Sequence, residues 1–431
     1  MQQVHIRKGM AIFAFPMRQD DDKLGTAPRA DVMVDLTGLH ARMLSELEQA
    51  ATDVLQASDF IRGQAVSDFE RRLNEVMGLD AEVVGCANGT DALSMALMAL
   101  EVGPGDEVIV PDFSFISTAE TVALCGATPV FADVDPHTFQ LDVESAKRAR
   151  SSKTKAVIPV HLFGQCADMA SLMEWAQNQG LWVIEDNAQS LGSTCFMPEP
   201  RAAGAIGHLG TTSFFPSKNL GCMGDGGAVL VGNLGRQMDG DLANKVRCIA
   251  NHGSTTKYHH TMVGINSRLD TLQAAFLNVK LNHWSDIVAS RQAAAKRYDQ
   301  MIDDMNSRGG VQVEIPLRSK CSDHLFHQYC VLLPHGVDRD HLQAELKKAG
   351  VASMVYYPTT LSSQPAFANL GQTVEGGTPH AHDVARRILA SPMHTELTAT
   401  SQTKVIEELF RLLPSTMTKS SGLDALEAPK T

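Results

Sequence analysis

The sequence predicts an α/β fold, with a large, mostly parallel seven-stranded sheet domain followed by a small C-terminal α+β domain. The first observation is that continuous β-branched runs of strand length alternate with segments of helical length, a pattern typical of a parallel sheet covered on both faces. The second is that the last part of the chain alternates strand and helix in runs too short for another such sheet. The third is length, because a chain of 431 residues exceeds what one core usually organises.

The predicted strands and helices can be placed in chain order. Two helical stretches, SELEQAATDVLQASDFI and AVSDFERRLNEVMG, come before the sheet. The seven predicted strands are EVVGCAN, DEVIVPDFSF, TPVFADVD, KAVIPVHLFG, LWVIEDNAQ, TTSFFPS and GAVLVG. Helices such as TDALSMALMAL and MASLMEWAQNQG lie between them, and one long helix is predicted from Leu269 to about Met305.

The domain boundaries follow from these elements. The large domain with its connecting helix is predicted to span 31–308, and the small domain 309–415. The small domain contains the short runs HQYCVLLP, RDHLQAELKKAG, VASMVYYP and VARRILA. Residues 1–30 and 416–431 have no clear periodicity, so we predict a disordered N-terminal extension and a disordered tail.

Composition and charge exclude several classes of partner. Hydrophobic residues make up 44% of the chain and charged residues 20%, as in ordinary globular proteins. The net charge of -12 would repel nucleic-acid and lipid phosphates, and no apolar run is long enough to span a bilayer. We therefore expect neither a nucleic-acid nor a membrane partner. Eight cysteines lie without any CxxC pair, which argues against a metal site or disulfide framework and favours a reducing cytoplasm.

Polar residues at the carboxyl ends of the predicted strands are the first candidates for a ligand site. In CANGTDALSMALMAL a strand leads through Asn88 and Gly89 into a helix, whose first N–H groups and the Thr90 hydroxyl could hold a phosphate. An ordinary helix cap made by Thr90 or Asp91 is an alternative that the sequence leaves open.

Two further strand ends supply a carboxylate and an amine. Asp186 follows a buried strand, where an ionised carboxylate needs a partner such as a protonated pyridine nitrogen; a helix-capping aspartate is the alternative. Lys218 lies in SFFPSKNLGCMGDGG between an aromatic run and four glycines. A lowered pKa would let its amine react with an aldehyde, and a structural ion pair is the alternative.

A phosphate site, an acid for a ring nitrogen and an amine for an aldehyde together match the chemistry of pyridoxal 5'-phosphate. Phe115, which also follows a strand, could lie against the pyridine ring or belong to the core. Taken together, these sites predict a pyridoxal-phosphate enzyme.

The same residues lie in motifs that resemble the DegT/DnrJ/EryC1/StrS family of pyridoxal-phosphate nucleotide-sugar aminotransferases. The motifs are CANGTDAL, PGDEVIVP, PVFADVDP, VIEDNAQSLG, SFFPSKNLGCMGDGGA, GINSRLDTLQAA and SPMHTELT, and the likeness runs from about Val34 to Leu412. The resemblance implies the aspartate aminotransferase fold (fold type I). It also implies amino transfer from L-glutamate to a nucleotide-linked keto sugar, in a homodimer with shared active sites.

The resemblance assigns roles to individual residues. Lys218 is the lysine that binds the cofactor and moves the proton, and Asp186 pairs with the pyridinium nitrogen. Phe115 stacks on the ring, and Gln189 packs near the ring and its oxygen. The predicted phosphate ligands are Gly89, Thr90, Ser213 and, from the second subunit, Asn266.

The substrate side resembles the branch that aminates UDP-linked 3-keto uronates. Arg268 matches the arginine that binds the sugar carboxylate in that branch, with an ion pair to Asp270 as the alternative. The branch's HYPVPLHLQPAF reads YYPTTLSSQPAF here, with Tyr356 and Ser362 in place of two histidines. The predicted substrate contacts are Arg268, Tyr356, Tyr357 and His161, although the sequence fits His161 equally well as a core histidine.

The resemblance indicates UDP-2-acetamido-2-deoxy-3-oxo-glucuronate as the substrate, and surface polysaccharide or a related glycoconjugate as the destination. The first alternative is a sugar dehydratase of the same fold, a branch that carries histidine at the position of Lys218. The others are a 3- or 4-aminotransferase acting on a dTDP- or GDP-linked 6-deoxy keto sugar, and a non-catalytic regulatory homologue. Retention of Lys218 and Asp186 disfavours the dehydratase and the regulatory homologue.

Overall fold

The structure, a computed structural model, describes residues 30–417. The disorder predicted for 1–29 and 418–431 lies outside the described residues. Two residues that were predicted to belong to these ends are buried: Ala30, which packs in the small C-terminal core, and Thr416.

The central sheet is mostly parallel. The strands of the described chain are β1 (Ala81–Cys86), β2 (Glu107–Pro111), β3 (Thr128–Ala132), β4 (Thr154–Val157), β5 (Trp182–Asp186), β6 (Thr194–Cys195), β7 (Arg201–Ala202), β8 (Leu209–Ser213), β9 (Gly227–Gly232), β10 (Ser254–Thr256), β11 (His259–His260), β12 (Tyr329–Leu332), β13 (Gln372–Thr373) and β14 (Ile388–Ser391). Eight of them form the sheet in the spatial order β1-β9-β8-β5-β4-β2-β3-β13. β9 runs antiparallel to both neighbours, and every other neighbouring pair is parallel.

All seven predicted strands are confirmed, and the sheet has one more. The eighth strand, β13, comes from the C-terminal part of the chain and pairs in parallel with β3 at the edge. It has only two residues, both exposed and polar, so no run of apolar residues marks it in the sequence.

Helices connect the strands in the predicted alternation. They are α1 (Leu36–Ala41), α2 (Leu44–Ala57), α3 (Gln64–Met77), α4 (Gly89–Ala99), α5 (Ser117–Leu124), α6 (Val143–Arg148), α7 (Met169–Gln179), α8 (Asn233–Met238), α9 (Leu242–Ile249), α10 (Thr271–Asn282), α11 (Trp284–Ser307), α12 (Arg339–Lys348), α13 (Pro379–Arg387) and α14 (Ala399–Leu412). Within residues 30–417, no helix combines the length and apolar character needed to cross a membrane.

Both faces of the sheet are covered. One face packs against α4, α5 and α9. The other packs against α3 and α10 near β1 and against α6 and α7 near β3. Because both faces are buried, the strands are nearly continuous apolar runs, and the polar side chains that could act on a ligand collect at the strand ends.

The single long helix predicted from Leu269 to about Met305 is wrong, because the chain forms two helices there. α10 ends at Asn282, and α11 begins at Trp284. The turn at His283 lets the Trp284 side chain pack into the core beside α3 and α10. A one-residue turn between two segments of the same period leaves no signal in the hydrophobic pattern.

The C-terminal part of the chain forms its own core. β12 and β14 pair antiparallel, and α11, α12 and α14 pack around them through buried side chains such as Tyr298 and Tyr329. The run VASMVYYP, which was predicted to alternate with helices, contains only an isolated bridge from Met354 to Ala390. The boundaries 31–308 and 309–415 stay predictions, and α11 contributes to this core although it precedes residue 309.

Candidate active site

The carboxyl ends of β5 and β8 and the amino end of α4 meet at one edge of the sheet. β5 ends at Asp186 and β8 at Ser213, two strands that pair in parallel. Gly89, the first residue of α4, lies against Ser213, because a Cβ added to Gly89 would stand 2.7 Å from the Ser213 Cβ. A glycine is therefore required where the helix approaches the strand.

Asp186 presents a buried carboxylate at this edge. The residue is 6% exposed, and its oxygens accept hydrogen bonds from the Thr118 hydroxyl at 2.8 Å and the Ala188 N–H at 3.2 Å. Burial raises the pKa of Asp186, and the two hydrogen bonds and the nearby Lys218 charge offset only part of that rise. Such a carboxylate fits a cationic N–H partner, which would favour its ionised form. Asp186 caps no helix, so the capping alternative does not apply.

Lys218 lies half-buried in the loop after β8. The Phe214 side chain before it is buried against Phe69 with ring centroids 5.2 Å apart, and the Lys218 N–H donates to the Phe215 carbonyl at 2.8 Å. Burial lowers the pKa of Lys218 to about 8, and the charge of Asp186 opposes this shift. Lys218 forms no ion pair within residues 30–417, so the structural ion pair is not observed. Its amine is thus available for chemistry.

The first turn of α4 has the features of a phosphate site. Asn88 caps the helix by accepting the Asp91 N–H at 2.8 Å, so the cap is neither Thr90 nor Asp91. The N–H groups of Gly89 and Thr90 donate no hydrogen bond within the described residues. Two free donors at the positive end of an eleven-residue helix fit an anion. The Thr90 hydroxyl pairs with the Ser117 hydroxyl at 2.7 Å.

Two aromatic rings and a side-chain amide lie together at another side of the site. Phe115 is 52% exposed, and its ring lies 6.1 Å from that of Tyr357. The Tyr357 hydroxyl accepts from the Gln189 amide at 3.1 Å, and the Gln189 carbonyl oxygen accepts the Phe163 N–H at 2.8 Å. The structure therefore brings Phe115, Gln189 and Tyr357 together, while the neighbouring Tyr356 is half-buried.

His161 is a core histidine, which corrects its prediction as a substrate contact. It is 0% exposed, and both ring nitrogens have partners within the chain. Nδ1 accepts the Ala167 N–H at 3.2 Å, so Nε2 carries the proton and donates to the Glu185 carboxylate at 2.8 Å. With no surface and no unpaired nitrogen, the ring has nothing to offer a substrate.

Asn266 and Arg268 lie between β11 and α10. Their segment lies beside the carboxyl end of the edge strand β1, where the hydroxyl of Ser267, the residue between them, accepts the Ala87 N–H at 3.1 Å. Asn266 is exposed, and the Arg268 guanidinium contacts only the Asn251 amide oxygen, at 3.4 Å, with no ion pair to Asp270 among the described residues. Within residues 30–417, no hydrogen bond joins either residue to Lys218 or Asp186.

Sequence reasoning missed two residues that hold the site. Thr118 donates to Asp186, and Glu185 is fully buried behind it. The Glu185 carboxylate accepts three backbone N–H groups at 2.6–2.8 Å, from Gly204, Ile206 and Gly207. The motif IEDNAQ carried the signal for Glu185, because neighbouring residues of a strand point to opposite faces and a buried glutamate needs its own partners.

The departure from the family motif at Ser362 has a structural explanation. The Ser362 N–H and hydroxyl donate to the buried Asp112 carboxylate at 2.6 and 2.7 Å, and the Thr378 hydroxyl donates to it as well. Ser362 therefore satisfies a buried acid at the end of β2 and does not point to a substrate.

Comparison with known proteins identifies relatives along most of the chain. The chain is 41% identical to a pleiotropic regulatory protein of Geobacillus stearothermophilus over 88% of this chain and 97% of that protein. It is 40% identical to the UDP-2-acetamido-2-deoxy-3-oxo-D-glucuronate aminotransferase of Pseudomonas aeruginosa, covering 85% and 96%. It is 41% identical to the UDP-N-acetyl-3-dehydro-alpha-D-glucosamine 3-aminotransferase of Acidithiobacillus ferrooxidans, covering 85% and 93%.

Solved structures and a family model agree with these relatives. A DegT DnrJ EryC1 StrS aminotransferase from Brucella abortus is 37% identical with a TM-score of 0.80, covering 89% of this chain and 99% of that one. NtdA from Bacillus subtilis, solved with bound cofactor PMP, is 28% identical with a TM-score of 0.77, covering 92% and 87%. The model of the DegT/DnrJ/EryC1/StrS aminotransferase family matches residues 42–410. These matches confirm the predicted family and enzyme class, and the chain belongs to the DegT/DnrJ/EryC1/StrS aminotransferase family.

Proposed function

We propose that this aminotransferase moves the amino group of L-glutamate to C3 of a UDP-linked 3-keto sugar that carries a 2-acetamido group and a C6 carboxylate. The observation that carries the proposal is the arrangement at the sheet edge, where the Lys218 amine, the Asp186 carboxylate and the open first turn of α4 face one site. An amine, an acid and an anion site together suit amino transfer with a phosphorylated pyridine cofactor.

The residues present fit pyridoxal 5'-phosphate. The N–H groups of Gly89 and Thr90, with Ser213 beside them, would hold its phosphate, and the buried Asp186 would hold its protonated ring nitrogen. Phe115 and Gln189 would contact its ring. When bound, the cofactor supplies an electron-withdrawing ring that stabilises negative charge on the carbon losing its proton.

Lys218 is suited to move that proton. A pKa of about 8 leaves part of the amine neutral at physiological pH, so Nζ could accept the proton that Cα of the amino donor loses in one half of the reaction and supply a proton to the sugar carbon in the other half. Burial raises the pKa of Asp186, so a cationic partner would favour its charged form. Thr118 fixes the orientation of that carboxylate through its hydrogen bond.

Arg268 is our candidate for reading the sugar's C6 group. Its guanidinium shares a cavity of about 40 Å³ with Arg62 and Arg247, and its own partner is a single amide oxygen. Arg247 is already paired with Glu70 at 2.9 Å. Arg268 thus has donors left for a carboxylate, which a guanidinium binds with two charge-assisted hydrogen bonds.

We place Asn266 and Arg268 in the active site of the partner subunit. Within residues 30–417 neither side chain is hydrogen-bonded to Lys218 or Asp186 of its own chain, and Asn266 is exposed beside the end of β1. A homodimer in which each subunit lends these residues to the other would complete two sites.

Replacing Arg268 by alanine tests the substrate assignment. The kcat/KM for the UDP-linked 3-keto uronate should fall by roughly tens to thousands of fold, because a desolvated charged hydrogen bond is lost. The same variant should lose much less on the analogue with a neutral C6 hydroxymethyl group. Steady-state assays of glutamate-dependent amino transfer on both sugars measure the difference.

Arg236→Ala provides a matched control, because that arginine pairs with Asp80 at the surface, away from the proposed site. This variant should keep the wild-type kcat/KM on both sugars. An equal loss on the two sugars for Arg268→Ala would mean that Arg268 supports the fold or the dimer, and the uronate assignment would then fail.

A further inference from the structure

A lysine lies buried behind the loop that carries Lys218. Lys280 on α10 is 1% exposed, and its Nζ donates to the Gly221 carbonyl at 2.5 Å and to His40 Nε2 at 3.0 Å. Burial lowers the pKa of Lys280 to about 8, and burial and the Lys280 charge lower the pKa of His40, so His40 stays a neutral acceptor. Burying an amine costs free energy of folding, so we expect Lys280 to have a specific role.

The loop that carries Lys218, residues 214–226, is closed on itself. Phe214 accepts the Cys222 N–H at 2.8 Å and donates its own N–H to the Gly226 carbonyl at 2.7 Å. Two side chains of α10 hold its outer turn: Lys280 at Gly221, and Gln273, whose side-chain oxygen accepts the Met223 N–H at 2.7 Å. One helix therefore fixes the loop at two successive points.

Gly221 passes this constraint on to Lys218. A Cβ at Gly221 would clash with the Pro216 carbonyl oxygen and stand 2.8 Å from that of Phe215, so the backbones are in direct contact. The Phe215 carbonyl in turn accepts the Lys218 N–H at 2.8 Å. A shift of Gly221 must therefore move the turn that orients Lys218.

We propose that Lys280, held by His40, is a positioning residue that sets the place of Lys218 by anchoring the Gly221 carbonyl. This inference rests on the proposed function only in taking Lys218 as the reacting amine. The proposed contribution of Lys280 is its hydrogen bond to Gly221 and not its side-chain volume. Methionine separates the two, because it would fill nearly the same volume without a donor.

Lys280→Met tests the proposal through the loop itself. Hydrogen exchange on the purified protein, followed by peptide mass spectrometry, should show the amides of Lys218, Cys222 and Met223 exchanging about tenfold faster or more, with distant strands unchanged. In the same variant kcat should fall by roughly tenfold to a hundredfold while KM for glutamate changes little, because a small misplacement of a reacting group is costly.

Lys245→Met is the matched control, since Lys245 sits on α9 and pairs with Glu101 near the surface. It should leave loop exchange and kcat at their wild-type values. If Lys280→Met behaves like this control, or if exchange accelerates uniformly along the chain, Lys280 has no positioning role. Should the methionine variant fail to fold, Lys280→Gln keeps a shorter donor and is judged by the same loop exchange.

Loop exchange separates this proposal from the proposed function. It is measured without any sugar substrate, so a wrong substrate assignment would leave the expected exchange pattern intact. Conversely, wild-type loop exchange in an active Lys280→Met variant would overturn the positioning role of Lys280 and leave the proposed function standing.

Discussion

Replacing Lys218 by alanine is expected to lower kcat by on the order of a thousandfold or more, because the variant has no amine to bind the cofactor covalently and none to move the proton. The structure supports this choice of lysine by its desolvation beside Asp186, which lowers the pKa to about 8. Single-turnover assays with glutamate measure the loss. Thermal unfolding of the same variant should show a folded protein, because the side chain forms no ion pair that would stabilise it within residues 30–417.

Borohydride reduction and peptide mapping of the wild-type protein identify the reacting lysine independently of activity. Lys280 is a stringent internal control, because burial lowers its pKa to about 8 as well. Label on the Lys218 peptide alone is the expected result. Label on Lys280, or none on protein saturated with pyridoxal phosphate, would contradict the assignment.

Mixing two inactive variants is expected to restore activity if the active sites are shared. Lys218→Ala and Asn266→Ala should each be nearly inactive alone. A mixed dimer would contain one site with both residues intact, so equal mixing under exchange conditions should recover roughly a quarter of wild-type activity. Glutamate-dependent amino transfer before and after exchange measures the recovery.

The control for this experiment is an equal mixture of Lys218→Ala with wild-type protein, in which native mass spectrometry reports subunit exchange. Exchange without recovery in the two-variant mixture would mean that each subunit supplies its own Asn266. The partner-subunit placement of Asn266 and Arg268 would then be abandoned.

The sheet and the polar residues at its edge were predictable because local signals agree with the tertiary fold. Fully buried strands such as β2 appear in the sequence as nearly continuous apolar runs, and a charged residue next to such a run needs a partner for its buried charge. Asp186 was predicted for that reason, and Lys218 because it lies between an aromatic run and a glycine-rich loop. The sequence did not predict that Gly89 must be a glycine, because its close approach to Ser213 depends on the packing of α4 against β8.

Other features depend on contacts between distant residues and were invisible in the sequence. The two-residue strand β13 forms by pairing with β3 at the edge of the sheet. The break before α11 allows the Trp284 side chain to pack in the core. His161 could be assigned to the core only once Glu185 was seen opposite its ring. In the sequence Lys280 is indistinguishable from an ordinary lysine of a helix, because its partner, the Gly221 carbonyl, is distant in the chain.

The substrate assignment is tested most directly by following 2-oxoglutarate release from L-glutamate with wild-type enzyme and a panel of keto sugars. The panel should hold the UDP-linked 2-acetamido-3-oxo uronate, its neutral C6 hydroxymethyl counterpart and a dTDP-linked 6-deoxy-3-keto sugar. We predict that kcat/KM is highest for the uronate, by about tenfold or more over either neutral sugar, because only its carboxylate can engage Arg268. A preference for a neutral sugar, or no 2-oxoglutarate with any member of the panel, would contradict the proposed function.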